Sequence, residues 1–150
     1  MADKIIIKSL KRMHRFESAS AQVYRGQGKI FPGQGMKDKW DTARKNEEEH
    51  IREIKNRIER AGEKIPVFSV LFSAGGFLLG LFGFFWGLKS ALKMNILLEE
   101  RAIENYERYL KNVPFDGETG RLLQKIIREE EGHIALWKEG IKSLLENKAP

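Results

Sequence analysis

Apolar positions recur along this chain in alternating steps of four and three residues, the spacing of an amphipathic helix. From Lys4 to about Gln27, one face carries Ile6, Leu10, Met13, Glu17, Ser20 and Tyr24. From Lys37 to about Ala61, the stripe is Trp40, Ala43, Glu47, Ile51, Ile54, Ile58 and Ala61, with His50 beside it. From Lys89 to about Lys111 it is Leu92, Ile96, Glu99, Ile103, Tyr106 and Leu110. From about Glu118 to Asn147 it is Leu123, Ile127, Glu130, Ile134, Trp137, Ile141 and Leu144, with His133 alongside. Gly26, Gly28, Pro32, Gly33 and Gly35 are expected to end the first helix, and Gly62 the second. Pro114 and the Phe115-Asp116-Gly117 turn separate the last two. The pattern predicts an all-α fold, a single domain over residues 1–150, with four amphipathic helices.

A fifth segment breaks the pattern. After Pro66, Val67–Leu88 runs 22 positions without a charge and holds Phe68, Phe72, Phe77, Phe82, Phe84, Phe85 and Trp86. Its five glycines, Gly75, Gly76, Gly80, Gly83 and Gly87, include two Gly-x-x-x-Gly spacings, a helix-packing signal. As a helix it would reach about 33 Å, the length of a bundle helix.

The stripes carry acids where core residues belong. Glu17 and Glu99 stand alone on theirs, whereas Glu47 and Glu130 each precede a histidine by three residues (His50, His133). Residues three apart on a helix point the same way, so each Glu-x-x-His pair can grip one metal ion. Seventeen Glu and three His give by chance only about a third of one such match. Glu17 to Glu47 is 30 residues and Glu99 to Glu130 is 31, so each half repeats a lone inward Glu and then a pair. Four buried carboxylates without a Lys or Arg on any stripe need neutralising, and two ferrous ions would do it. Protonated or paired structural carboxylates are the alternative. His14 reads as a surface or outer histidine rather than a ligand; Tyr24, Tyr106, Trp40 and Trp137 read as core. Glu48, Glu49, Glu129 and Glu131 fall off the stripes and are expected to face outward.

Composition narrows the chemistry. There is no Cys, which excludes disulfides, iron–sulfur clusters and thiolate zinc sites. Oxygen-rich coordination favours iron or manganese, although imidazole also suits zinc. The net charge of +6 suits an anionic surface. Basic residues are scattered without a nucleic-acid reader motif, so no nucleic-acid partner is expected. Met1–Arg12 holds only the short apolar run Ile5–Ile7, which is not a secretory leader. A bilayer span by residues 67–88 would put Glu17, Glu47 and His50 on one side and Glu99, Glu130 and His133 on the other, about 30 Å away. The segment is therefore expected to stay with the bundle, as a crossover or as an element lying in the membrane surface between Lys64 and Lys89.

Several spaced motifs resemble the demethoxyubiquinone hydroxylase family of di-iron proteins. Its first ligand motif reads roughly His-x-Gly-Glu-x-Gly-Ala-x-x-x-Tyr-x-Gly-Gln. His14, Glu17, Tyr24, Gly26 and Gln27 match it in register, with Phe16 in place of the glycine before the Glu. Glu47/His50 and Glu130/His133 match its two pairs. Leu98-Glu99 with Ile103 and Tyr106 approximates its Val-Glu-x-x-Ile-x-x-x-Tyr, and Asn105 replaces a His. A further apolar helix that the family carries after its last ligand has no counterpart in the 17 residues following His133. The resemblance implies a ferritin-like four-helix bundle with an added apolar, glycine-rich crossover or membrane-surface helix. It implies two iron ions bridged by Glu47 and Glu130, with Glu17 and Glu99 as terminal ligands and one His on each iron. It implies an O₂-dependent hydroxylase acting on a quinone or other lipophilic small molecule in ubiquinone biosynthesis. The expected location is cytoplasmic, peripheral on the inner face of the cell membrane, as a homo-oligomer. A ferroxidase or peroxide-scavenging protein and a non-catalytic dimerisation module are the alternative functions.

Overall fold

The computed structural model describes residues 2–33, 35–65 and 69–146, and side chains for all of these except 2, 3, 69–73, 82 and 84. Among the described residues the protein is all-helical: α1 (Ala2–Ile30), α2 (Lys37–Arg60), α3 (Ser69–Asn112) and α4 (Gly117–Glu146). Gly87 breaks α3 with φ 75° and ψ 163°, values open to glycine and costly for other residues. It splits α3 into two arms, 69–86 and 88–112, close to the boundary the sequence predicts between its apolar and amphipathic segments. Residues 66–68, where the apolar segment is expected to begin, and Asn147, the expected end of the last helix, lie outside the described residues.

Local chemistry sets the other ends. The α2 chain stops in a Schellman turn: Gly62, at φ 76°, donates to the Glu59 carbonyl, and the Glu63 amide donates to the Ile58 carbonyl. Asp116 caps α4 by accepting the Thr119 amide proton on Oδ1 at 2.7 Å. The expected stop at Gly26 and Gly28 is corrected, because α1 continues through both to Ile30 and ends two residues short of Pro32. Those glycines serve packing instead. A Cβ on Gly26 would sit 2.8 Å from the Phe77 carbonyl and 3.1 Å from the Gly80 Cα; one on Gly28 would sit 3.3 Å from the Trp40 Cβ.

The two arms of α3 clasp α1. Along the first arm Gly76 lies beside Ala19, Gly80 beside Val23 and Gly26, and Gly83 beside Gln27 and Phe31, so this arm runs parallel to α1. Along the second, Asn95 meets Gln27 and Glu99 meets Tyr24, so it runs antiparallel. Tertiary contacts also join α1 to α2, α3 to α4 and α2 to α4. Two apolar clusters result. One gathers Leu10 and Met13, Ile54 and Ile58, Ala102 and Tyr106, and Leu123 and Ile126. The other gathers Val23 and Tyr24, Trp40 and Ala43, Leu92, and Trp137. On every helix the acid positions fall between the residues of one cluster and those of the other.

The first arm turns its glycine edge inward and leaves Leu78, Phe85 and Trp86 largely exposed, Phe85 at 75%. Among the described residues no helix is long and apolar enough to cross a membrane. The clasp predicts a graded glycine series. Gly80→Ala, which must push apart α1 and the first arm, should lower the unfolding free energy by about 1–3 kcal/mol. Gly75→Ala, facing open space, should leave it unchanged or raise it. Equal effects of the two in urea denaturation would contradict this packing.

Candidate metal centre

Each of the six predicted ligands lies in the polar layer between the apolar clusters. Glu17, Glu47, His50 and Glu99 are fully buried, Glu130 is 1% exposed and His133 4%. Their donor atoms form two overlapping groups. Glu17, Glu47, His50 and Glu130 have one donor atom each within 4.8 Å of one another, and so do Glu47, Glu99, Glu130 and His133. Glu47 and Glu130 belong to both. The i,i+3 spacing works as expected: His50 Nδ1 lies 3.7 Å from Glu47 Oε2, and His133 Nδ1 lies 2.9 Å from Glu130 Oε2. Nδ1 of His50 also stands 3.3 Å from Glu17 and 3.4 Å from Glu130. Nδ1 of His133 stands 3.2 Å from Glu99 and 3.5 Å from Glu47. The chain's approximate internal repeat has become an approximate twofold in space.

Electrostatics makes this cluster unstable without positive charge. Every ion pair these four carboxylates make among the described residues is with a histidine. Burial, then the charges of Glu130 and Glu17, pushes the Glu47 carboxyl well above the carboxylate range. Burial and the Glu130 charge push Glu99 up to about 8, although His133 and Tyr24 pull the other way. Burial opposes the charged form of both histidines. Carboxylates overcome it: Glu130 and Glu99 raise His133 to about 9, and Glu130, Glu17 and Glu47 raise His50 strongly. Against the burial penalty, His133 and His50 hold Glu130 down at about 2. Protons thus do by halves what cations would do fully. Glu17 Oε1, both Glu47 oxygens, Glu99 Oε2 and Glu130 Oε2 are buried with no hydrogen-bond partner. Five orphaned carboxylate oxygens and two inward imidazole nitrogens fit a pair of hard, oxygen-preferring divalent ions.

The surroundings add two residues whose part the sequence does not reveal. Glu129, expected to face outward, is half-buried and accepts from His50 Nε2 at 2.8 Å. Lys125 lies 3.9 Å behind it. The Tyr24 hydroxyl, on a residue read as a core aromatic and matched to the first motif of the resemblance, donates to Glu99 Oε1. Its ring packs on Trp40 and Trp137, which are buried as expected. Tyr106 is buried too, as expected of a core aromatic, but its hydroxyl has no partner. Gln27 and Asn95 exchange two amide hydrogen bonds beneath this layer. His14 is not among the converging donors, in line with its reading as a non-ligand; it is buried rather than at the surface. Glu48, Glu49 and Glu131 are exposed as expected.

An apolar chamber of about 350 Å³ lies between α1 and the two arms of α3. Phe16, Ala19, Ser20 and Val23 of α1, Gly75, Gly76 and Leu79 of the first arm, and Leu98 of the second line it. Phe16 precedes Glu17 and Leu98 precedes Glu99, so the walls are built from the turns that carry two of the acids.

A family profile described as ubiquinone biosynthesis protein COQ7 matches residues 6–136, a span that includes all six converging residues. The mitochondrial NADPH-dependent 3-demethoxyubiquinone 3-hydroxylase of Caenorhabditis elegans is 28% identical over 137 residues, which cover 86% of this chain and 71% of that protein.

The raised groups fix a pH dependence for the metal-free protein. Glu47, Glu99, His50 and His133 hold protons in the folded state that the unfolded chain has already released. Stability therefore falls as pH rises, from the ordinary carboxylate range through about 8 for Glu99, and from about 6.5 through about 9 for His133. The melting temperature of chelator-treated protein should drop between pH 6 and 9. Added ferrous or manganous ion, which takes the place of those protons, should flatten the drop. A melting temperature that rises with pH in chelator would contradict the assignment.

Proposed function

This chain belongs to the COQ7 family of ubiquinone biosynthesis proteins, and we propose on that footing that it is a di-iron hydroxylase of a demethoxyubiquinone-like ring. The observation that carries the reading is the pair of four-residue groups sharing Glu47 and Glu130. One ion would be held by Glu17 and His50, the other by Glu99 and His133, with Glu47 and Glu130 common to both; manganese is the alternative metal. When bound, the two ions supply the chemistry of O₂ activation: one oxygen atom replaces a ring hydrogen as a hydroxyl, and the other leaves as water at the cost of two electrons and two protons. The relative's name points to a reduced nicotinamide as the ultimate electron source.

The chain's own residues prepare that chemistry. Glu129 accepts a hydrogen bond from Nε2 of His50 and so would leave the Nδ1 lone pair to the metal once an ion replaces the proton there. Tyr24 fixes the Glu99 carboxylate through its hydroxyl. The chamber lined by Phe16 and Leu98, the residues next to Glu17 and Glu99, offers the ring a nearly all-apolar setting. That lining favours a lipophilic substrate over the ferroxidase alternative, which needs a polar route for hydrated iron. The chamber opens beside Gly75 and Leu79 on the exposed side of the apolar arm, where a tail would emerge. Leu78, Phe85 and Trp86, with Lys89 and Lys93 nearby, suit a protein seated peripherally on an anionic membrane surface, or a homo-oligomer that buries the same residues.

Two experiments test the reading. With iron, a reductant and a short-chain demethoxyquinone under ¹⁸O₂, the product should carry one labelled hydroxyl, and Glu130→Gln should abolish it. Peroxide consumption or iron mineralisation without labelled product would favour the ferroxidase instead. In flotation with anionic vesicles the wild-type chain should rise with the lipid. The Phe85→Ser/Trp86→Ser double variant should bind more weakly, by on the order of tenfold or more. Equal flotation of the two proteins would remove the apolar arm from the membrane contact.

A further inference from the structure

A second cavity, of about 190 Å³, lies on the same seam between α1 and the second arm of α3. Its α1 wall is Arg12, Met13 and Phe16, and its α3 wall includes Ala102, Asn105 and Tyr106. The first chamber continues from Phe16 up α1 to Val23 and touches the second arm at Leu98. Because that arm runs antiparallel to α1, both walls place the cavities end to end. Phe16 is the one described residue that borders both. The two differ in chemistry: the first is almost wholly apolar, whereas Arg12, Asn105 and the unpartnered Tyr106 hydroxyl make the second partly polar.

We propose that the Phe16 ring is a partition that sets substrate specificity, admitting rings that carry one apolar tail and rejecting rings that carry a second long tail across the ring. This rests on the reading of the first chamber as the substrate pocket. Gly75 and Leu79 are the exposed residues of its lining, so an apolar tail leaves beside them. The ligand's opposite edge meets Phe16, half-buried and packed against the lower apolar cluster. A second tail at that edge must displace the ring and enter a space with polar walls, which is unfavourable twice over. Removal of the ring joins the chambers into one channel about half as large again as the first. Phe16 therefore acts on which molecule is bound, not on how the metal is held.

The test is equilibrium binding to the full-length chain, followed by calorimetry with no turnover. The probes are 2-hexyl-1,4-benzoquinone and 2,5-dihexyl-1,4-benzoquinone, whose second tail lies across the ring. The chain has no Cys, so quinone addition to thiol does not interfere. Hexylbenzene and 1,4-dihexylbenzene form a parallel pair without quinone oxygens. Wild type should bind the one-tailed quinone at least about tenfold tighter than the two-tailed one. Phe16→Ala should remove that preference, chiefly by tightening the two-tailed probe, and Phe16→Leu should fall between. Circular dichroism checks each fold, and Phe16→Leu carries the comparison if the Ala variant does not fold. Equal binding of both probes by wild type, or the same factor of change for both in the variants, overturns the proposal. If neither quinone binds but the hydrocarbon pair follows the size of residue 16, the partition stands and the quinone reading falls. If neither pair responds to residue 16, the partition falls.

Discussion

Four carboxylates and two imidazoles share a buried layer in which, among the described residues, no Lys or Arg pairs with the acids. An unpaired buried ion costs several kcal/mol even after the protein relaxes, so such a layer persists only if charge is supplied or removed. The metal-free protein does both with protons, which neutralise Glu47 and Glu99 and charge the histidines. Two divalent ions would supply the charge, and they would also satisfy the buried carboxylate oxygens left without a hydrogen-bond partner. The apolar clusters above and below make the choice this sharp. Because Met13, Ile54 and Ile126 pack on one side and Tyr24, Trp40 and Trp137 on the other, no acid can swing out to solvent.

Much of the remaining architecture follows from α1 standing between two arms of one helix. Glycine on both partners lets α1 and the first arm approach backbone to backbone, as Gly26 and Gly80 show. That approach leaves the outer edge of the arm apolar and uncovered, and it closes one side of the chamber beside Glu17. A single device therefore links the shape of the pocket to the surface from which a lipophilic ligand would come. The positive φ at Gly87 completes the link, since it returns the chain down the other side of α1 and brings Glu99 into the layer.

The centre was largely legible in the sequence because its geometry is local. A Glu and a His three apart must share a face, and an acid on a core stripe must be neutralised, whatever the tertiary arrangement. Glu129 was not legible: its contact is with His50, 79 residues away, and depends on how α2 and α4 are rotated against each other. Tyr24 looked like core because it is core; only the approach of the second arm gives its hydroxyl a partner. Gly26 and Gly28 misled for a related reason. A glycine reads as a helix stop when its neighbours are unknown, yet here the missing Cβ makes room for Phe77 and Trp40. Gly87 lay one residue inside the predicted edge of the apolar segment, and only its backbone angles mark it as the break.

The most direct measurement is anomalous diffraction at the iron edge from crystals of protein purified from an iron-replete host. Two peaks should lie within the layer, about 3.5–4 Å apart. One should sit against Glu17 and His50, the other against Glu99 and His133, and Glu47 and Glu130 should reach both. A well-ordered layer without anomalous density would contradict the account.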